Sequence, residues 1–193
     1  MHRSDLKYLE ECFKDEDMPK ELSAIRLCEL GNQRIRIKPV YSKISKIYLT
    51  AIMGINHISI DINGNDGTLQ YDLAEPIING HLLNSFHILT NYGTSEHIKN
   101  QYQCFSNMHY LCKKNALFIH SVPWEGDPKW ENDKDYVYTF DFFRNLANNC
   151  HYKIMKEEIC HRRGNCHVTM KKMEDNIFPS EKFFNQTIPT YNG

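Results

Sequence analysis

The sequence predicts an α/β fold: a mostly parallel sheet covered by helices on both faces and ending in an antiparallel hairpin. Three observations lead there. Short apolar runs that stop at Gly, Asp or Asn alternate with stretches of helical periodicity, the pattern of strands joined by crossover helices. Those runs carry few alternating polar positions, as strands buried on both faces do. The last two extended runs are separated only by Arg162-Arg163-Gly164-Asn165, which reads as a hairpin. At 193 residues and 41% hydrophobic content the chain fits a single domain over 1–193.

Taken in order, residues 1–22 form a charged, partly helical lead-in, and "AIRLCELG" (24–31) is a first strand ending in glycine. Pro39 opens an amphipathic helix in which Val40, Ile44, Ile47, Tyr48 and Ala51 share a face, Lys43 and Lys46 lie elsewhere, and Gly54 closes it. "HISIDING" (57–64) and "TLQYDL" (68–73) are strands two and three, ending at Asp61 and Asp72. "FHILTNYG" (86–93) is the fourth. Helical spacing of Ile98, Tyr102, Phe105, Met108 and Leu111 predicts a helix over 98–113, before a fifth strand, "ALFIHSVP" (116–123). A polar, aromatic loop (124–138), a helix around 139–149 and the hairpin "HYKIMKEEICH"/"CHVTMKKME" complete the pattern; the tail over 179–193 is irregular.

Composition narrows the function. A net charge of −1, with no basic patch interleaved with aromatics, argues against nucleic acid. No apolar run approaches the roughly 20 residues that span a bilayer, and "MHRSDLKYLEECFKDEDMPKEL" is too charged for a secretory signal. Seven cysteines without a framework spacing read as reduced thiols, so the expected location is cytoplasmic. Cys150-His151, Cys160-His161 and Cys166-His167 lack the spacing of zinc sites. Neighbours on a strand point to opposite faces, so hairpin packing is the expected role and no metal is assigned.

In a sheet of this kind ligands bind outside the carboxyl ends of the strands. Asp61 and Asp72 stand at two successive ends, with Glu29-Leu30-Gly31 before them. Each aspartate alone reads equally as a turn or cap residue. Together they fit a nucleoside, Asp61 accepting ribose hydroxyls and Asp72 the adenine amine.

With "LCELGNQ", "SIDING", "YDL" and "ILTNYGTSEHI" in this order, the chain resembles the class I S-adenosylmethionine-dependent methyltransferases over roughly residues 24–170. The resemblance implies a Rossmann-like seven-stranded sheet in the order 3-2-1-4-5-7-6 with an antiparallel last strand, and S-adenosylmethionine as cofactor. It implies Glu29 and Gly31 near the methionine moiety, Asp61 at the ribose, Asp72 and Leu73 at the adenine, and Asn91 and Gly93 near the sulfonium, with Asn32 and Ile62 also among the cofactor-binding residues. The first loop departs from the family pattern in having only Gly31, followed by Asn32-Gln33-Arg34-Ile35. Gly31 and Asp61 are also 30 positions apart, against about 20 in dinucleotide folds, which marks "RIRIKPV" as an insertion.

The chemistry such an enzyme needs is alignment of an acceptor and, for a hydroxyl or ammonium, removal of a proton. His97 is the candidate base by position, His120 the next, and Glu96 orients one of them or takes the proton itself. Ser95-Glu96-His97 equally reads as a helix N-terminus capped by Thr94 or Ser95, and His120 as a satisfied semi-buried histidine. From the 124–138 loop, Trp124, Asp135 and Tyr136 are candidate acceptor contacts, with Trp130, Asp133 and Tyr138 nearby; the same residues also suit a solvated loop. The leading expectation is a methyltransferase acting on a small molecule such as a saccharide or amine. Two others stand beside it: a non-catalytic protein of the same fold, and an NAD-dependent oxidoreductase using Tyr110 and Lys114.

Overall fold

The computed structural model describes residues 1–36, 44–130, 135–186 and 189–191. Seven strands form one sheet: β1 (Arg26–Leu30), β2 (Asn56–Asp61), β3 (Leu69–Gln70), β4 (Phe86–Tyr92), β5 (Cys112–Pro123), β7 (Tyr152–Cys160) and β8 (Asn165–Lys172). Their order is β3-β2-β1-β4-β5-β8-β7. The pairings from β3 to β5 are parallel, and β8 runs antiparallel to both β5 and β7. Among these seven strands that is the 3-2-1-4-5-7-6 order, with the hairpin where the sequence places it. A separate two-stranded ribbon joins β6 (Tyr136–Val137) to β9 (Thr190–Tyr191).

Strand periodicity explains the two cores. Leu27, Ile88, Leu117 and Ile119 face one side and pack with Leu9 of α1 (Arg3–Cys12) and with Leu49. Their neighbours Cys28, Leu89 and Phe118 face the other side, against Phe105 of α3 (Gln101–Leu111) and Phe143 of α4 (Phe140–Cys150). Leu27, Leu30, Ile60, Ile88 and Leu89 are wholly buried, each such side chain contributing roughly 1.5–3 kcal/mol. No helix among the described residues is long and apolar enough to cross a membrane.

Several boundaries differ from expectation. Pro39, Val40 and Lys43 of the expected amphipathic helix lie outside the described residues; Ile44, expected on its apolar face, is extended and precedes a short α2 (Ser45–Ile47) that runs into a π-helical turn, Tyr48–Ile52. Strand three pairs over only two residues because the Asp72 carboxylate accepts the Ala74 N–H at 2.8 Å and turns the chain away. The helix expected from residue 98 begins at Gln101, capped by Asn100, whose side chain accepts the Gln103 N–H at 3.0 Å; only a single 3₁₀ turn covers Ser95–His97. Thr94 and Ser95 therefore do not cap that helix. The tail holds α5 (Glu181–Phe184) and β9; Phe184 is buried beside Phe105 and Phe142.

Candidate functional site

The parallel register brings the carboxyl ends of three strands level, Leu30 opposite both Ile60 and Asn91. Beyond Leu30 the chain turns at Gly31, whose φ of 77° only glycine adopts readily. Its N–H donates to the Ile60 carbonyl at 2.8 Å. Thr94 Oγ1 donates to the Leu30 carbonyl at 2.8 Å, so the loops after β1 and β4 are tied together. A β-carbon on residue 31 would lie 2.7 Å from that oxygen.

Above these ends lies a cleft of about 570 Å³, within the range of small-molecule sites. Asp61 and Asp72 both line it. Asp61 Oδ2 accepts the Asn32 N–H at 2.8 Å and Oδ1 the Asn63 N–H at 3.1 Å. Each aspartate is thus a turn residue and a cleft residue at once. An ionised carboxylate has about four lone-pair sites, so Asp61 keeps acceptor capacity for ligand hydroxyls. Gly31, Asn32, Ile62, Leu73, Gly93 and His97 line the same cleft, together with Gln33, Tyr71 and Lys99, which the sequence does not mark as ligand contacts, and Thr94, which it marks only as a candidate cap. All four sit within two residues of an expected cofactor or catalytic residue.

The other candidates lie elsewhere. Glu29 is buried on the face it shares with Leu27, bonded by Ser45 Oγ and 3.3 Å from His57 Nε2. Asn91 is buried beneath the floor and clasps Ser95: its Nδ2 donates to Ser95 Oγ at 2.8 Å and its Oδ1 accepts the Ser95 N–H at 3.1 Å. Trp124 folds over Gly126 and packs edge-on to His161, with ring centroids 6.3 Å apart. Tyr136 donates to the Lys99 carbonyl at 3.2 Å, and Asp135 Oδ2 lies 2.9 Å from His97 Nδ1; both touch the rim without lining the cleft. Asp133 lies outside the described residues. Tyr110 Oη accepts the Phe178 N–H at 3.2 Å, and neither Tyr110 nor Lys114 lines the cleft.

No protein-family model matches the chain, and no curated protein matches it in sequence. Solved structures do. Geranyl diphosphate C-methyltransferase from Streptomyces coelicolor A3(2), in complex with S-adenosyl-L-homocysteine, superposes with a TM-score of 0.62 at 8% identity, over 88% of this chain and 80% of that one. The chain has the class I methyltransferase fold. The Burkholderia thailandensis 1,6-didemethyltoxoflavin-N1-methyltransferase, also with S-adenosylhomocysteine, matches at a TM-score of 0.53 and 12% identity over 89% and 85% of the two chains. The [4+2]-cyclase SpnF matches at 0.54 and 8% identity over 78% and 75%. The methyltransferase fold thus carries more than one activity, and function must be argued from the site.

Within this methyltransferase fold, the three catalytic candidates have different environments. His97 is exposed and lines the cleft. Its partner is Asp135, 38 residues away, and the adjacent Glu96 turns inward. Only 6% exposed, Glu96 has its Oε2 without a hydrogen-bond partner among the described residues; burial pushes its carboxyl up to about 7. His120 is sealed between Phe105 and Phe143, and burial pushes its imidazole down to about 3. That ring is a neutral core group, 3.2 Å from Asn91 Nδ2, and the base role expected for it is withdrawn. Beneath the floor, Tyr138 donates to Gln101 Oε1 at 2.9 Å and lies 2.8 Å from Ser95 Oγ. This buried network fixes the β4 loop that the cleft depends on.

Of the three Cys-His pairs only Cys166-His167 lies within a strand; Cys150 ends α4, with His151 as its cap, and His161 follows the end of β7. Cys166 belongs to the α3/α4 core, while His167 points the other way and stacks on Tyr8 at 4.7 Å. All seven cysteines are free thiols.

Proposed function

We propose that the chain is an S-adenosylmethionine-dependent methyltransferase acting on a small-molecule acceptor in the cytoplasm. The observation that carries this reading is the convergence of Asp61 and Asp72 on one cleft in a methyltransferase fold. The residues present fit the cofactor. Asp61 keeps lone pairs for a ribose diol, and it shares the cleft with Asp72, Gly31 and Gly93. In this reading Asp61 and Ile62 hold the ribose, Asp72 and Leu73 the adenine, and Gly31, Asn32 and Gly93 the amino-acid end. When bound, the cofactor supplies a methyl group on a sulfonium, a leaving group that needs no protein acid.

The chain's own residues then have to position an acceptor and take its proton. His97 is placed for that step. Asp135 at 2.9 Å favours the tautomer protonated on Nδ1, which leaves Nε2 as the acceptor of a proton. Asp135 is a positioning residue in this scheme, in place of the direct acceptor contact expected of it, and Glu96 supports the floor from beneath.

Calorimetric titration with S-adenosylhomocysteine tests the reading. Binding to the wild type is expected, and Asp61→Asn is expected to weaken it roughly tenfold to a hundredfold, the value of one or two hydrogen bonds to a charged group. Absence of binding at millimolar ligand would end the enzymatic claim and leave a non-catalytic protein of this fold.

A further inference from the structure

The contact between His97 and Asp135 joins two loops that are distant in sequence, and it stands at the surface, with side chains 59% and 25% exposed. A pair open to water contributes little and has to hold two side chains in one geometry. It cannot be what sets its own distance of 2.9 Å. Something else must bring the two loops into register.

Tyr136 makes a second connection between them. It follows Asp135 directly, and its hydroxyl donates at 3.2 Å to the carbonyl of Lys99, two residues beyond His97. The two contacts bridge the same loops side by side. Burial and the neighbouring Tyr191 keep the phenol above its ordinary range, so the hydroxyl stays a donor at neutral pH.

The other end of Tyr136 is held by the fold. β6 pairs antiparallel with β9, Tyr136 opposite Tyr191 and Val137 opposite Thr190. The two tyrosine rings lie 5.1 Å apart between centroids, and Tyr136 also packs against the α3/α4 core. Val137 and Tyr138 are buried, and the Tyr138 N–H donates to the Pro123 carbonyl at 2.9 Å. From β9, Thr190 Oγ1 donates to the Glu125 carboxylate in the same loop. Tyr136 is therefore a strut: ribbon and core fix its backbone and ring, and its hydroxyl reaches the loop that carries His97. Asp135 lies one residue before β6, so its carboxylate takes its place from that strut.

We propose that Tyr136 is a positioning residue that holds Asp135 on His97 Nδ1 and so sets which ring nitrogen carries the proton. The sequence offers Tyr136 as an acceptor contact; the geometry gives it a role through the Asp135–His97 pair. The proposal rests on the reading of His97 as the base, because the tautomer with Nε2 unprotonated is the one able to take a proton from an acceptor.

Long-range proton–nitrogen NMR of the full chain reads the tautomer of neutral His97 without any acceptor. Spectra are recorded for the wild type, Asp135→Ala, Tyr136→Phe and Tyr191→Ala, beside thermal unfolding and calorimetry with S-adenosylhomocysteine. Tyr136→Phe keeps the ring and its packing and removes only the hydroxyl, so its unfolding is expected to match the wild type. The wild type is expected to favour the Nδ1–H tautomer. Tyr136→Phe is expected to move the tautomer ratio toward Nε2–H by roughly twofold to tenfold, the value of one hydrogen bond, in the same direction as Asp135→Ala. Its affinity for S-adenosylhomocysteine is expected to be unchanged, since Tyr136 does not line the cleft. Tyr191→Ala is expected to move the ratio the same way with the hydroxyl still present, and it decides the matter should Tyr136→Phe fail to fold.

The proposal is overturned if Asp135→Ala moves the ratio and Tyr136→Phe does not. A loss of S-adenosylhomocysteine affinity in Tyr136→Phe with the tautomer unchanged would make Tyr136 a ligand contact and overturn it too. An unchanged tautomer in Asp135→Ala overturns the proposal and the orientation of His97 together. Failure of the donor reading is seen separately, as a wild type that binds no S-adenosylhomocysteine while the tautomer shifts remain.

Discussion

Glu96 offers a measurement in which one atom changes and the sign is fixed in advance. Its side chain is packed beside Gly93, where a β-carbon would come within 3.2 Å of Glu96 Oε1, and it is 6% exposed. Burial raises its carboxyl from 4.5 to about 7, against opposing contributions from its own backbone N–H and from His97. Between those two values the native chain holds a proton that the unfolded chain has released. The unfolding free energy therefore falls as pH rises through that window. Below 4.5 both states are protonated and nothing is lost; above 7 the whole penalty of the buried charge is present. At ~1.4 kcal/mol per pH unit, the displacement amounts to roughly 3 kcal/mol.

Glu96→Gln keeps the shape and removes the titration. Urea unfolding of both proteins at pH 5 and pH 8 isolates the effect, because every other titrating group is common to the pair. Because pH 5 already lies above 4.5, the variant is expected to gain on the wild type by roughly 2.5 kcal/mol between the two conditions, equivalent to roughly 5–10 °C in melting temperature for a chain of this size. A stability gap that is the same at both pH values would mean that the Glu96 carboxylate is already solvated in the native state. The account of a sealed floor beneath the cleft would then be wrong.

Gly31→Ala combines a left-handed backbone penalty of about 1–2 kcal/mol with displacement of the Thr94–Leu30 hydrogen bond, worth ~1 kcal/mol. A loss of roughly 2–3 kcal/mol in urea unfolding is expected, and a loss near zero would show that the loop re-forms around the new side chain. Acid is expected to destabilise the chain through its buried histidines. Burial lowers His120 to about 3 and both His109 and His167 to about 4, so below pH 6.5 the unfolded state takes up protons that the native state refuses. Stability should fall steadily from pH 6.5 toward pH 4, Glu96 offsetting only part of it; a flat profile in urea midpoints over that range would contradict the burial of these rings.

Much of the sheet was legible because strand pattern and punctuation are local. Runs such as Leu27–Leu30 and Ile88–Asn91 announce themselves by apolar content, and Asp61 and Gly31 by the turns they make. Side-chain direction past a strand end is not local. From "TSEH" alone, Glu96 and His97 look equally available, yet a 3₁₀ turn sends one into the core and the other into solvent. The acid that pairs with His97 comes from beyond β5, which no spacing rule reveals. Glu29 is a different case, since alternation from the buried Leu27 already places it on the α1/α2 face, away from the cleft. His120 needed the positions of Phe105 and Phe143, both fixed by helix packing.

The sparse glycine content of the first loop has a structural counterpart. Bare backbone is required at Gly31, where the loop presses on Thr94. At the next two positions side chains and amides are already committed: the Asn32 N–H holds Asp61, the Asn32 Nδ2 reaches Asp66 at 2.8 Å, and Gln33 Nε2 reaches Thr94 Oγ1 at 3.3 Å. A glycine at either position would remove a side chain that ties β1's loop to the loops after β2 and β4. The loop therefore gains its shape from hydrogen bonds between three strand ends, where a glycine-rich loop would leave its amides free for the ligand. Such a loop is pre-organised but offers fewer backbone donors to an anion.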